Sequence, residues 1–416
     1  MKKIGLVLLC LIIFPAQAKR QSVLSAENAE KHVLAITQTG GRLAGSQSAQ
    51  KAAAYIDAEL KRIGLQPWHS QSYKWPFKFV SPIDQSKGQG TNLIAYIKGS
   101  TKLPGVIIGA HYDHLGHGES DKSLAQEDET GQVHRGADDN ASGVSALLSV
   151  AEYLVALKNK GKFTPKRDVI FAFWSGEEMG LLGSKSFVKM FGQDDLSHIF
   201  MANLNMDMVG RLHNALILQG TGSSKQWQQI IEQRNAPVRL NIVTQADTQL
   251  PTDTSSFYQH HVPILSAFTG NHEQYHSPRD TADLLNYQGI AKIAKLMALI
   301  TRGLALQEQA LVYQEPAKGD KKASRKNVKA YLGTIPDYAR ADGVGVLIGG
   351  TVKDSPAQQA GFQKGDILIE MKGVKIDDVY DFTDVLQTLV IGEKIKAKVQ
   401  RQGKTVVLDV VPGVKN

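Results

Sequence analysis

Cysteine is almost absent: the one thiol of the 416-residue chain, Cys10, lies in an apolar run at the N-terminus. A lone cysteine excludes a disulfide framework, and its apolar setting excludes thiol catalysis. That run extends only from Ile4 to Phe14, well short of the roughly 20 residues that span a bilayer, so no stable membrane span is expected. Lys2 and Lys3 precede it and Ala16-Gln17-Ala18 follows it. This is the pattern of a secretory signal peptide, residues 1–18, cleaved to leave a thiol-free chain that starts near Lys19 and is periplasmic or secreted. A strong charge of one sign is also lacking. Lys and Arg number 48 against 40 Asp and Glu, a net +8, and the signal takes two of those charges with it. No alternation of basic and aromatic residues marks a nucleic-acid groove, so no nucleic-acid partner is expected.

The length favours two folded units. Helical spacing runs over Ala26 to Arg42, ending in a turn, and over Ser46 to Ile63, stopping near Gly64. Strand-like runs follow at Thr91 to Ile97, Gly105 to Ala110 and Asp168 to Trp174, with helices from Ser142 to Leu157 and Leu181 to Met190 between and after them. Such alternation predicts an α/β fold with a mostly parallel central sheet flanked by helices. The lysine-rich segment 313–328 reads as a linker. It separates a first unit, 19–312, from a second, 329–416, whose short β-rich runs and two helices suggest a small β-sandwich or barrel.

Chemistry concentrates in five short motifs of the first unit: HYD at His111 to Asp113, GADDNASG at Gly136 to Gly143, SGEEMG at Ser175 to Gly180, NMDMVG at Asn205 to Gly210, and YHSPRDT at Tyr275 to Thr281. His111, Glu177, Glu178 and Asp207 all follow apolar strands, where open α/β sheets bind ligands. Asp113 suits a carboxylate that orients the His111 ring. Asp139 stands at a turn opening a helix, placed to bridge two ions, while Asp138 and Asn140 suit helix capping. Two adjacent glutamates after a buried strand are costly unless a cation neutralises one, so Glu178 is read as a ligand and Glu177 as the group that takes a proton from water. Asp207, in apolar surroundings, needs a cation or donors, and His276 supplies the last nitrogen. His114, His117, His134, His260, His261 and His272 are read as solvated or hydrogen-bonded loop residues, and Phe173 and Trp174 as core.

Together these motifs, from about Leu93 to Leu285, resemble the two-zinc aminopeptidase family that also includes glutamate carboxypeptidase, transferrin-receptor and glutaminyl cyclase relatives. The resemblance implies two Zn2+ per chain, one held by His111, Asp139 and Asp207 and the other by Asp139, Glu178 and His276. It also implies Glu177 as general base, a cis bond between Asp139 and Asn140, and substrate orientation by Asp253 in PTDTSSF. Farther on, YLGT at Tyr331 to Thr334 and DSPAQQAGFQKGDILIEMKGVKI from Asp354 to Ile376 resemble a PDZ domain of exported serine proteases. There Leu332, Gly333 and Thr334 would form the loop that receives a peptide carboxylate.

The expected activity is hydrolysis of the N-terminal residue of peptides by a water activated between two zinc ions, with a protein C-terminus or other protein partner at the PDZ domain. The alternatives are a glutaminyl cyclase or carboxypeptidase on the same scaffold, and a non-catalytic, PDZ-led interaction protein.

Overall fold

Three strands buried along their whole length, Gly105–His111, Val169–Trp174 and Phe200–Met206, lie side by side and parallel at the centre of the first unit. The computed structural model describes residues 22–120, 122–315, 330–337, 345–377, 381–382, 385–386 and 388–414. The expected signal peptide lies outside these residues.

In chain order the first unit contains α1 (Ala26–Thr37), α2 (Gln47–Ile63), β1 (Gln66–Pro67), β2 (Lys74–Val80), β3 (Lys87–Ile97), β4 (Gly105–His111), α3 (Gly143–Asn159), β5 (Val169–Trp174), α4 (Leu182–Lys189), β6 (Phe200–Met206), β7 (Leu216–Gln219), α5 (Trp227–Asn235), β8 (Ile242–Gln245), α6 (Thr254–Tyr258), β9 (Ile264–Phe268) and α7 (Tyr287–Leu306). The strands form one nine-stranded sheet in the order β1-β3-β5-β4-β6-β9-β7-β8, with β2 paired to β3. Strands β5, β4, β6 and β9 run parallel, as expected, but β1, β2 and β3 join antiparallel, as does β7 on β9. Strand β3 contains the expected run Thr91 to Ile97, but its partner β2 has no counterpart in the sequence reading, because Pro76 and the lysines in KWPFKFV suit a half-exposed margin rather than a buried strand.

Local chemistry sets the helix boundaries. The Ser46 hydroxyl accepts from Ala49 N at the start of α2, and Gly64, at φ 83°, ends it in the left-handed conformation. The side chains of β4 and β5 alternate between the faces of the sheet. Val106, Ile108, Phe171 and Phe173 enter a core shared with α1, α2, α3 and α7. Ile107, Ile170 and Trp174 enter an aromatic core with Phe187 of α4 and Phe257 of α6. Among the described residues, one helical stretch is long and apolar enough to cross a membrane, Ala137–Asn159, and 78% of its apolar 18-residue window is buried inside the protein.

Order continues into the segment read as a linker. The Tyr313 ring lies 5.2 Å from that of Tyr258 and 5.1 Å from that of His261. Residues 316–328 of that segment lie outside the described residues.

The C-terminal unit has its own core and a six-stranded antiparallel sheet. Its elements are β10 (Thr334–Asp337), β11 (Val346–Thr351), α8 (Pro356–Gln359), β12 (Ile367–Met371), β13 (Val374–Lys375), β14 (Ile395–Arg401) and β15 (Lys404–Val410). Of the two helices expected in this unit, the second, over Tyr380 to Leu389, falls partly outside the described residues; positions 381–382 and 385–386 are helical. Strand β10 is the sheet's edge and begins at Thr334. The carbonyls of Leu332 and Gly333 accept from Ala357 N and Val352 N, both at 2.8 Å, so the YLG turn is tied to the start of α8 and to the residue that follows β11.

Candidate metal centre

Each carboxylate oxygen of Asp139 faces a different histidine. Oδ1 lies 3.2 Å from His111 Nε2, and Oδ2 lies 3.1 Å from His276 Nε2. His111 Nε2 is also 3.3 Å from Asp207 Oδ1, and His276 Nε2 is 3.3 Å from Glu178 Oε1. The structure therefore brings together all five residues that the sequence nominated as ligands. His111 ends β4, Glu178 follows β5 and Asp207 follows β6, so three parallel strands deliver three of the five.

Asp139 gets its place from an irregular turn. Residues Ala137–Ser142 form a single wide turn ahead of α3, the Asp139-Asn140 bond is cis, and Asp139 itself is not helical at φ −104°, ψ 93°. The side chains around it are tied to backbone and to one another. Asp280 accepts from Asp138 N and Asp139 N, Asp138 Oδ1 accepts from Gly210 N and Ser142 Oγ, and Asn140 Oδ1 accepts from Gly143 N. Asn140 thus bonds the first N–H of α3, in keeping with the capping expected of it, whereas Asp138 caps no helix and ties the turn to Gly210 beyond β6. Gly136 opens the turn at φ 51°, and a Cβ there would fall 2.1 Å from the Asp139 carbonyl and against the His114 ring. Only glycine fits that approach.

Asp113 differs in detail from its expected role. Its oxygens accept from the backbone N–H groups of Glu177, at 3.1 Å, and Glu178, at 3.3 Å, while His111 Nδ1 is 3.7 Å from Oδ1 and 3.3 Å from the Asp113 carbonyl. Its carboxylate fixes the glutamate pair first and the histidine second. The corresponding outer contact of His276 is Nδ1 to the Lys122 carbonyl at 3.0 Å, which leaves Nε2 free for a ligand.

The cluster is rich in negative charge and shut away from water. Burial alone would raise Glu178, but His276, Lys122 and His114 hold its carboxyl well below the usual range. Asp139 is opposed by burial and by Glu178, yet its bonds to His111 and His276 keep it low. Glu177, without such partners, is pushed well above the usual carboxylate range by burial, and Asp207 is raised by the same cause. Burial works to lower His276, but the charges and hydrogen bonds of Glu178 and Asp139 carry it up to about 10. Opposite shifts among packed carboxylates mark a site with a deficit of positive charge.

These residues fit a metal. Donor atoms of His111, Asp139 and Asp207 lie within 4.8 Å of one another, as do those of His114, Asp139 and Glu178. Imidazole nitrogen with carboxylate oxygen is a zinc donor set. Of the two readings left open for His114, the hydrogen-bonded loop residue is the one found: it is fully buried and its Nδ1 lies 3.0 Å from Glu178 Oε1, although its place in a donor triad was not foreseen. His272 was missed too, its Nε2 being 3.3 Å from Asp138 Oδ2. The second histidine of HYDH was the available signal for the first; nothing local marks the second.

Asp253 stands at the N-cap position of α6 without making a capping bond and is 1% exposed. Neither of its oxygens finds a hydrogen-bond donor, since the nearby Ser184 hydroxyl pairs with Ser256 Oγ. Burial raises it to about 7, against His111 and Ser184, which lower it, and with Asp113 and Asp207 adding to the rise. In the unfolded chain the same group ionises near 4. Between about pH 4 and pH 7 the folded state therefore keeps a proton that the unfolded state has lost, and stability falls as pH rises. Asp253→Asn is expected to abolish this fall. Thermal unfolding of the chelator-treated proteins at pH 5 and pH 8 checks it: wild type should lose stability relative to the variant at the higher pH.

Comparison with known proteins agrees with this geometry. Residues 92–301 match the model of peptidase family M28, and residues 321–411 match that of the PDZ domain. A probable leucine aminopeptidase of Trichophyton verrucosum is 27% identical over 286 residues, covering 66% of this chain and 71% of that protein. An aminopeptidase of Pseudomonas aeruginosa is 25% identical over 288 residues, covering 62% of this chain and 49% of its own. Among solved structures, a zinc aminopeptidase from Bacillus subtilis superposes with a TM-score of 0.56 at 13% identity, over 71% of this chain and 100% of that one. A glutaminyl cyclase from Porphyromonas gingivalis gives 0.55 at 16% identity, over 67% and 98%. Identities this low establish the fold of the first unit and do not separate the two chemistries.

Proposed function

From the premise that the chain belongs to peptidase family M28 and is a metallo-aminopeptidase, we propose that it is an exported enzyme that removes N-terminal residues from peptides at a two-zinc centre. The observation that carries the two-metal reading is Asp139, whose oxygens each face a different histidine. On this reading His111, Asp139 and Asp207 hold one ion, and Asp139, Glu178 and His276 hold the other. Zinc bound there would acidify a water, polarise the scissile carbonyl and take the substrate's free amine.

The chain's own groups do the rest. Glu177 follows β5 beside the ligands but bonds none of them, and its backbone is clamped to Asp113. It takes the proton of the attacking water and passes it to the leaving amine. Its burial-raised carboxyl suits the second transfer, and cationic charge nearby, which lowers it, suits the first. Asp113, by accepting from both glutamate N–H groups, sets the aim of base and ligand together. Asp253, sealed beside the cluster, orients the substrate side of the site. The PDZ domain serves as a docking module for a peptide or protein C-terminus, with Leu332, Gly333 and Thr334 at the edge strand as its carboxylate loop. In the mature chain the peptidase spans 19–312 and the PDZ domain 329–416.

Purified protein assayed on leucyl p-nitroanilide, its N-acetylated counterpart and a glutamine-led peptide separates the readings. Cleavage of the first is expected, none of the acetylated substrate, and from the glutamine-led peptide only release of its free first residue. Turnover of the acetylated substrate, or pyroglutamate formed from the peptide without release of its first residue, would sink the aminopeptidase assignment.

A further inference from the structure

The segment between α1 and α2 lies outside residues 92–301, the stretch matched by the family model, yet it runs directly behind the metal loops. Gly41 O accepts from Gly116 N at 2.8 Å, and Arg42 O accepts from His114 N at 3.1 Å. The approach is close enough that a Cβ on Gly41 would meet the Gly116 carbonyl at 2.0 Å. Arg42, at φ 52°, is anchored from its other side by its N–H to Ser48 Oγ, at 3.0 Å, in the first turn of α2.

Its guanidinium is fully buried and makes no ion pair among the described residues. All of its acceptors are backbone carbonyls: Nε donates to Tyr112 O at 2.8 Å, Nη2 to Gly136 O at 2.9 Å, and Nη1 to Arg135 O. Tyr112 stands between His111 and Asp113, and Gly136 opens the turn that carries Asp139. One planar side chain with donors in a fixed fork therefore spans the two loops whose ligands must meet. A buried cation without a carboxylate partner is costly. Burial lowers this one to about 10, and Asp139, Asp113, Asp280 and Glu178 are the charges that hold it up, so it remains charged at neutral pH.

We propose that Arg42 is a positioning residue of the metal centre, setting the distance between the His111 loop and the Asp139 turn so that the donor set is formed before an ion arrives. His114 belongs to the same clip: its backbone N–H is held by Arg42 O, its ring packs over Gly136, and its Nδ1 meets Glu178. The arrangement reaches one ligand of each triad besides the shared Asp139. Nothing in the clip touches substrate.

The inference rests on the metal reading proposed above, and zinc titration of the wild type tests that reading separately. Metal-stripped full-length wild type, Arg42→Ala and Arg42→Lys are titrated with zinc against a competing chelator, at a temperature where near-UV circular dichroism shows each variant folded. Arg42→Ala is expected to bind zinc 10–100-fold more weakly, the effect usual for loss of an outer contact to a ligand. Arg42→Lys should fall between, because an ammonium cannot reach three carbonyls in one plane. Millimolar guanidinium should restore affinity to the alanine variant and leave wild type unchanged. A wild type that binds no zinc removes the metal reading itself. If wild type binds and the folded variants bind equally well, Arg42 is only a structural residue, whatever its effect on the melting temperature. Should Arg42→Ala not fold, the lysine variant decides by the same comparison.

Discussion

Glu177→Gln is expected to lower kcat on leucyl p-nitroanilide by about 10²–10⁴-fold, the contribution typical of a positioned general acid–base. Zinc content should not change, since Glu177 lies outside both triads of converging donors. KM should change little, because the substitution removes a proton acceptor and leaves the ligands and the backbone clamp from Glu177 N to Asp113 in place. Stability should hold or rise. Burial pushes the wild-type carboxyl well above its ordinary range, so the folded chain resists ionising it, and a neutral amide of the same shape lifts that penalty. Steady-state kinetics, metal analysis and thermal unfolding on one preparation check all four statements. A variant that keeps more than a tenth of wild-type kcat would remove Glu177 from the proton path.

Asp139→Ala should have a larger effect of a different kind. It removes the only side chain shared by His111 and His276, so both triads lose a donor at once. Loss of an outer contact already costs 10–100-fold in affinity, so loss of a shared ligand is expected to weaken zinc binding by more than about 100-fold at each position. Activity should fall to background with it. The metal-free protein should also be less stable than wild type at neutral pH. His111 and His276 hold the wild-type carboxyl well below its unfolded value, so its stabilisation is present above that value, about 4, and lost on acidification. The difference in melting temperature between the two metal-free proteins should therefore shrink as pH falls below about 4. Retention of one tightly bound zinc by Asp139→Ala would show that the two positions do not share this carboxylate.

The ligands were legible because of where they sit. GVIIGA and VIFAFW are continuous apolar runs, the signature of strands covered on both faces, FMANLNM is apolar but for two asparagines, and a charged residue just after such a run stands at a sheet's ligand-binding edge. Asp139 was legible from the small residues around it. What escaped depends on contacts distant in sequence. Arg42 looked like the end of a helix and turn, since no local pattern signals that its guanidinium reaches Tyr112 and Gly136. His114 looked like a loop histidine; its burial follows from the approach of Gly136 and the Arg42 backbone. Strand β2 was hidden because a strand half open to solvent, with Pro76 in it, carries neither an apolar run nor a clean alternation.

Stepwise return of zinc to the metal-stripped protein, with leucyl p-nitroanilide hydrolysis read at each step, bears most directly on the two-metal centre. Activity that rises to a plateau at two zinc ions per chain is the expected result. A plateau reached at one, or hydrolysis by the stripped protein that added zinc leaves unchanged, would contradict it.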